Sequence, residues 1–179
     1  MLTRLLSHSS VDVMYERHLE LQKFLEDSRR TSFAIQVNEE FRRSLVLAAA
    51  SYFEGEIQKI VMEHAALMSN NRPEIISVFA TKVVKRQYHT WFNWDDLRDS
   101  AFWAMFGGDF KTAREKEMKA NQDLHNSSKA FLEIGRLRNN IVHRNFAEFT
   151  VDKTIDEIYT LYRNARLYIE YCSMHLNRL

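Results

Sequence analysis

Four glycines and a single proline, Pro73, are all that punctuate the 179 residues of this chain. These two residue types supply most of the special backbone conformations that tight turns need. A chain this poor in them cannot make the many short connections of an all-β fold, and collagen-like or linker-like architectures are excluded with it. Long helices joined by few turns remain. With 45% of its residues hydrophobic, the chain has the material for one core and reads as one domain over residues 1–179. Cys172 stands alone as a cysteine. That excludes a disulfide framework and a Cys-rich zinc site and fits a reducing compartment, the cytoplasm.

The longest apolar run, Leu45 to Ala50, is far short of the roughly 20 residues that span a bilayer. Met1 to Leu6, interrupted by Arg4, do not read as a secretory signal. Lys and Arg number 25 against 24 Asp and Glu, for a net charge of +1. Such a chain does not grip nucleic acid as a polycation, so contact with it must rest on a local basic site.

Periodicity and caps divide the chain. A first helix is expected from Ser10, its cap, to Arg30, with Val13, Leu21 and Leu25 among its apolar positions. A second is expected from Asn38 to Met68; its stretch Leu45-Val46-Leu47-Ala48-Ala49-Ala50 is apolar all round, as in the middle of a bundle. Asn70-Asn71-Arg72-Pro73 marks a loop, with Pro73 opening a third helix to Gln87. Between 88 and 108 the chain turns aromatic, with Tyr88, Trp91, Phe92, Trp94, Phe102, Trp103 and Phe106 before Gly107-Gly108. A long charged helix from Phe110 to Val142, with a break near Asn126-Ser127-Ser128, comes next. After a connection from Arg144 to Val151, Asp152 caps a last helix. Its Ile155, Ile158, Tyr162, Ala165, Ile169, Cys172 and Leu176 recur at steps of three and four, a seam for packing on other helices. The expected fold class is all-α, an antiparallel helical bundle with an aromatic-rich insert.

Chemistry concentrates in Gly135-Arg136-Leu137-Arg138-Asn139-Asn140-Ile141-Val142-His143-Arg144-Asn145. On one helix Asn139 and Arg136 share a face with His143, whereas Arg138 stands roughly 140° away from it. Arg138 and His143 converge only if the helix ends or unwinds here, or if a second chain supplies one of them. Arginine, amide and histidine together suit cleavage of an RNA phosphodiester. The 2′-OH attacks the adjacent phosphorus once a base takes its proton, an acid protonates the leaving 5′ oxygen and a cation meets the phosphorane charge. The same residues also have a structural reading, with Arg138 capping the helix C-terminus and His143 packed in a turn. A bare Arg-x4-His spacing arises often by chance.

Arg138-Asn139-x3-His143, within Leu137-Arg138-Asn139-Asn140-Ile141-Val142-His143, resembles the Arg-polar-x3-His signature of the HEPN superfamily. The segments Leu47-Ala48-Ala49-Ala50-Ser51-Tyr52-Phe53-Glu54 and Ala104-Met105-Phe106-Gly107 are similar to its RiboL-PSP type, so the resemblance extends over residues 38–175. It implies a helical bundle of HEPN type, commonly a homodimer, and a metal-independent endoribonuclease of toxin–antitoxin or phage-defence systems, acting on RNA and open to control by an antitoxin or other regulatory protein. The products would be a 2′,3′-cyclic phosphate and a 5′-OH. By the same resemblance Arg138 orients the phosphate, His143 is the catalytic acid or base and Asn139 the polar member. Glu54 is a supporting carboxylate that orients Arg138 or simply pairs elsewhere, and Arg136 is a reserve for the arginine role. The subclass paired with nucleotidyltransferase antitoxins has a Tyr two residues after the His, where this chain has Asn145. The competing expectation is a non-catalytic helical module that dimerises or binds a protein or RNA.

The remaining histidines, His8, His18, His64, His89, His125 and His175, form no His-x3-His or His-Glu-x2-His pattern and read as ordinary surface or core residues. Neither cofactor nor metal is expected. Trp91, Trp94 and Trp103 read as core, and Lys82, Lys85 and Arg86 as a solvated face, in preference to an RNA platform. Cys172, on the apolar seam, reads as an inert core thiol.

Overall fold

The computed structural model describes residues 8–144 and 149–177; Met1 to Leu6 and Asn145 lie outside them. Helix α1 (Ser10–Asp27) and helix α2 (Thr31–Met68) form an antiparallel hairpin, followed by a short α3 (Pro73–Val78) that continues as a π-helical turn over Phe79–Val84. The insert contains a 3₁₀ turn, Tyr88–Thr90, and α4 (Ser100–Ala104); α5 (Gly108–Ala120), α6 (Gln122–His143) and α7 (Ile155–Leu176) complete the order. Among the described residues the sole β-type pairing is an isolated bridge between Asn93 and Arg98.

Several ends differ from the sequence expectation, each for a local reason. Ser9, not Ser10, caps α1: its Oγ accepts from the N–H groups of Val11 and Asp12 while the Asp12 carboxylate accepts from Ser9 N–H, a reciprocal capping box. The second helix begins at Thr31 instead of Asn38, directly after Arg29 turns the chain with a φ of 54°. Asn38 lies inside α2, where its Oδ1 accepts from Nε2 of His18 at 2.9 Å. The third helix stops short of Gln87. The long helix starts at Gly108 and breaks at Asn121, not near Asn126-Ser127-Ser128. Asn121 is extended, and its side chain caps α6 by accepting from Leu124 N–H. Ser127 bonds back to the Leu124 carbonyl and Ser128 to Asp99, so neither disturbs the helix. Thr154, not Asp152, caps α7, in a second capping box with Glu157.

The core joins α2, α6 and α7 to the insert. On α6, Phe131, Ile134, Leu137 and Ile141 are buried; on α7 the expected seam residues Ile158, Tyr162, Ala165, Ile169, Cys172 and Leu176 are buried as well. Rings set the register: Phe53 of α2 lies 5.7 Å from Phe131 and 5.5 Å from Tyr162, and Phe131 lies 5.1 Å from Tyr168. Burial of each such side chain contributes on the order of 2 kcal/mol. All three tryptophans are buried, as expected of core residues. Asp99 ties the insert to the bundle by accepting from Trp103 Nε1, Ser128 Oγ and Tyr168 Oη. Helix α1 is fastened to α7 through Asp12, which is buried, accepts from Tyr159 Oη at 2.8 Å and lies 3.5 Å from Arg166. No helix among the described residues is long and apolar enough to cross a membrane.

Candidate functional site

Helix α6 stays helical through His143 and ends there. Arg144 leaves in an extended conformation while its N–H still donates to the Asn140 carbonyl. Arg138 and His143 thus both lie on regular helix, the end coming only after His143, and neither an unwound segment nor the helix end draws the two together within one chain. The two residues still differ in setting: Arg138 is half-buried and His143 exposed.

The arginines of α6 are not equivalent. Arg136 is held by Glu133, three residues earlier, through two bonds of 2.8 Å. Lys153 reaches the same carboxylate at 3.7 Å. Among the described residues no carboxylate lies within ion-pair distance of Arg138. Its Nη1 donates to Asn139 Oδ1 at 3.2 Å and its Nη2 to Nε2 of His89 at 3.4 Å. A guanidinium matched to a carboxylate has used its donor fork, whereas one resting on neutral acceptors keeps it for an incoming anion. Arg138 thus fits the cationic role better than Arg136.

Arg138 and Asn139 open onto a shallow depression shared with Ala50, Phe53 and Glu54 of α2 and with Tyr88, His89 and Trp94 of the insert. Glu54 lies close by without pairing to the arginine; its Oε1 accepts from Gln58 at 3.1 Å. Its charge is felt at Tyr88 and His89. Tyr88 is buried, and that burial pushes its phenol well above the ordinary tyrosine pKa, so it stays a neutral wall.

His89 is the residue that sequence reasoning missed when it grouped this side chain with ordinary histidines. Partial burial, and then the Arg138 guanidinium, pull its imidazole below the ordinary histidine pKa; Glu54 opposes the shift and His143 adds to it. Forty-nine residues separate His89 from Arg138, and no local pattern links them. The join is made by Trp94. Its Nε1 donates to the His89 carbonyl at 3.0 Å, which fixes the turn. Its ring lies against Gly135, where an added Cβ would stand 2.9 Å from Cη2 and nearer still to two other ring carbons. Only a residue without a side chain admits the indole there, one turn before Arg138 and Asn139.

A larger cavity, about 760 Å³, lies away from these residues, among α2, α5, α6 and α7, with Ile60, Leu124, Ile169 and Met174 in its wall. Its polar members Glu117 and His175 bond to each other at 3.3 Å, and Tyr171 Oη donates to Glu117 at 2.7 Å. That arrangement clamps α5 to α7. Of the expected site residues, Arg138, Asn139 and Glu54 line the smaller depression together with His89, whereas His143 is exposed and is not part of its wall.

Over residues 12–176 the chain matches the family model described as RiboL-PSP-HEPN. No curated protein and no solved structure matches the chain.

Proposed function

The chain belongs to the RiboL-PSP-HEPN family and folds into helices, and from that premise we propose that it is a metal-independent endoribonuclease of toxin or phage-defence type. The observation that carries this reading is the Arg138 guanidinium, which has no carboxylate partner among the described residues and rests on Asn139 and a neutral imidazole. RNA is the substrate. Its 2′-OH attacks the adjacent phosphorus, the P–O5′ bond breaks, and a 2′,3′-cyclic phosphate and a 5′-OH remain. Arg138 holds the non-bridging oxygens and meets the charge of the phosphorane. Asn139 steadies the guanidinium through its Oδ1, and His143 transfers a proton. Glu54 supports the site through its field, and Arg136 stays with Glu133. The working form is a cytoplasmic homodimer in which Arg138 and His143 of both chains line one cleft, under the control of an antitoxin or other regulatory protein.

Cleavage of total RNA by the wild type, Arg138→Ala and His143→Ala, with circular dichroism on each, tests the assignment. Each variant is expected to stay folded and to lose roughly 10²-fold or more in rate, the usual worth of a transition-state donor or of a proton-transfer group. Arg136→Ala should lose far less. Wild-type rates in both folded variants would defeat the reading and leave a binding or dimerisation module in its place.

A further inference from the structure

The depression around Arg138 holds a second imidazole that the Arg-Asn-x3-His segment does not account for. A guanidinium has donors alone, so the His89 Nε2 that faces Arg138 Nη2 at 3.4 Å presents a lone pair. The contact is long for a hydrogen bond, and a phosphate oxygen is a far stronger acceptor for an arginine than a neutral imidazole. A bound phosphodiester therefore draws the guanidinium off His89 and leaves an unprotonated nitrogen beside the phosphate. The ring is carried by a turn that Trp94 fixes through its bond to the His89 carbonyl and that buried Tyr88 anchors. The backbone that carries the ring is thus held in place before substrate arrives. The charged and titratable groups around it are Glu54 and Tyr88 on one side and Arg138 and His143 of α6 on the other. Desolvation and the Arg138 guanidinium, opposed by Glu54, hold the imidazole below its ordinary pKa, which favours the neutral, proton-accepting ring.

We propose that His89 is the general base of the cleavage reaction: its Nε2 takes the proton of the 2′-OH as O2′ bonds to phosphorus, while His143 gives a proton to O5′ as the P–O5′ bond breaks. One proton is taken and one delivered, and no further reactant enters. This inference rests on the ribonuclease reading above.

Its test uses the full chain and two RNA oligonucleotides of one sequence, the second with sulfur in place of the bridging 5′ oxygen at the scissile bond. A thiolate leaves without an acid, so this substrate restores variants that lack the proton donor and not those that lack the base. His89→Ala is expected to lose roughly 10²-fold or more on both substrates, whereas His143→Ala recovers on the sulfur substrate. His89→Gln keeps an acceptor for Arg138 but takes no proton, and is expected to be as slow as the alanine variant. The acidic limb of the wild-type pH–rate profile should vanish in the residual activity of both His89 variants. A His89→Ala rate near wild type, recovery of activity by glutamine, or rescue of His89→Ala by the sulfur substrate overturns the base while leaving the ribonuclease intact. A wild type inert toward both substrates overturns the ribonuclease reading and the base with it.

Discussion

Replacing Gly135 with alanine drives a methyl group into the indole of Trp94. The new Cβ stands 2.9 Å from Cη2 and closer to two further ring carbons, where carbon atoms settle at about 3.5–4.0 Å. The indole has little room to withdraw: it is 7% exposed and hemmed in by Phe92, Tyr88 and Phe131, at ring separations of 5.0, 5.7 and 5.9 Å. Overpacking of this kind costs up to about 3 kcal/mol. Alanine regains about 1 kcal/mol over glycine inside a helix. The net expectation is a destabilisation of about 2 kcal/mol, which for a chain of this size lowers Tm by about 4–8 °C. Gly55, also inside a helix but exposed, has nothing within 4 Å of an added Cβ. There the same substitution keeps the helix gain alone, about 1 kcal/mol, and raises Tm by about 2–4 °C. Urea and thermal melts followed by circular dichroism on the two variants and the wild type check the pair. Because Trp94 also holds the His89 turn, Gly135→Ala should lose RNA cleavage and Gly55→Ala should keep it. A Gly135→Ala protein as stable as the wild type, or more so, refutes the close approach and the argument that joins the insert to α6.

Two further outcomes follow from other contacts. His18 is buried, stacks on Phe41 at 3.7 Å and bonds Asn38, and burial pulls its pKa below the ordinary 6.5, with Asn38 opposing. Below that value the unfolded chain binds a proton that the folded one resists, so stability falls as pH drops through the window beneath 6.5, with His89 adding in the same sense. His18→Gln should flatten the slope of urea midpoint against pH there, and an unchanged slope contradicts it. If both chains of the proposed homodimer complete one cleft, mixing Arg138→Ala with His143→Ala restores part of the cleavage lost in each. Heterodimers confirmed by mass spectrometry yet no more active than either parent count against a shared cleft.

The scarcity of glycine and proline made the bundle legible, and the three-and-four seam from Ile155 to Leu176 placed the last helix correctly. Helix ends were harder, because hydrogen bonds decide them. Asn38 looks like a cap, yet His18, twenty residues earlier, claims its side chain. Ser9 outcompetes Ser10 for α1 through two backbone N–H groups and the answering Asp12 carboxylate. In the candidate site, the pairing of Arg136 was within reach of the sequence: Glu133 sits three residues before it, the spacing of a helical ion pair. His89 was not within reach, since its place depends on an indole from the insert resting on Gly135, a tertiary contact without local signature.

The central claim is that the RNA 2′-OH attacks its own phosphodiester at a site built from Arg138 and His143. Mapping the ends of RNA cut by the wild-type protein in excess EDTA tests it most directly. The account predicts undiminished cleavage that leaves 2′,3′-cyclic phosphate and 5′-OH ends, and 5′-phosphate ends, or cleavage lost in EDTA and restored by magnesium, would contradict it.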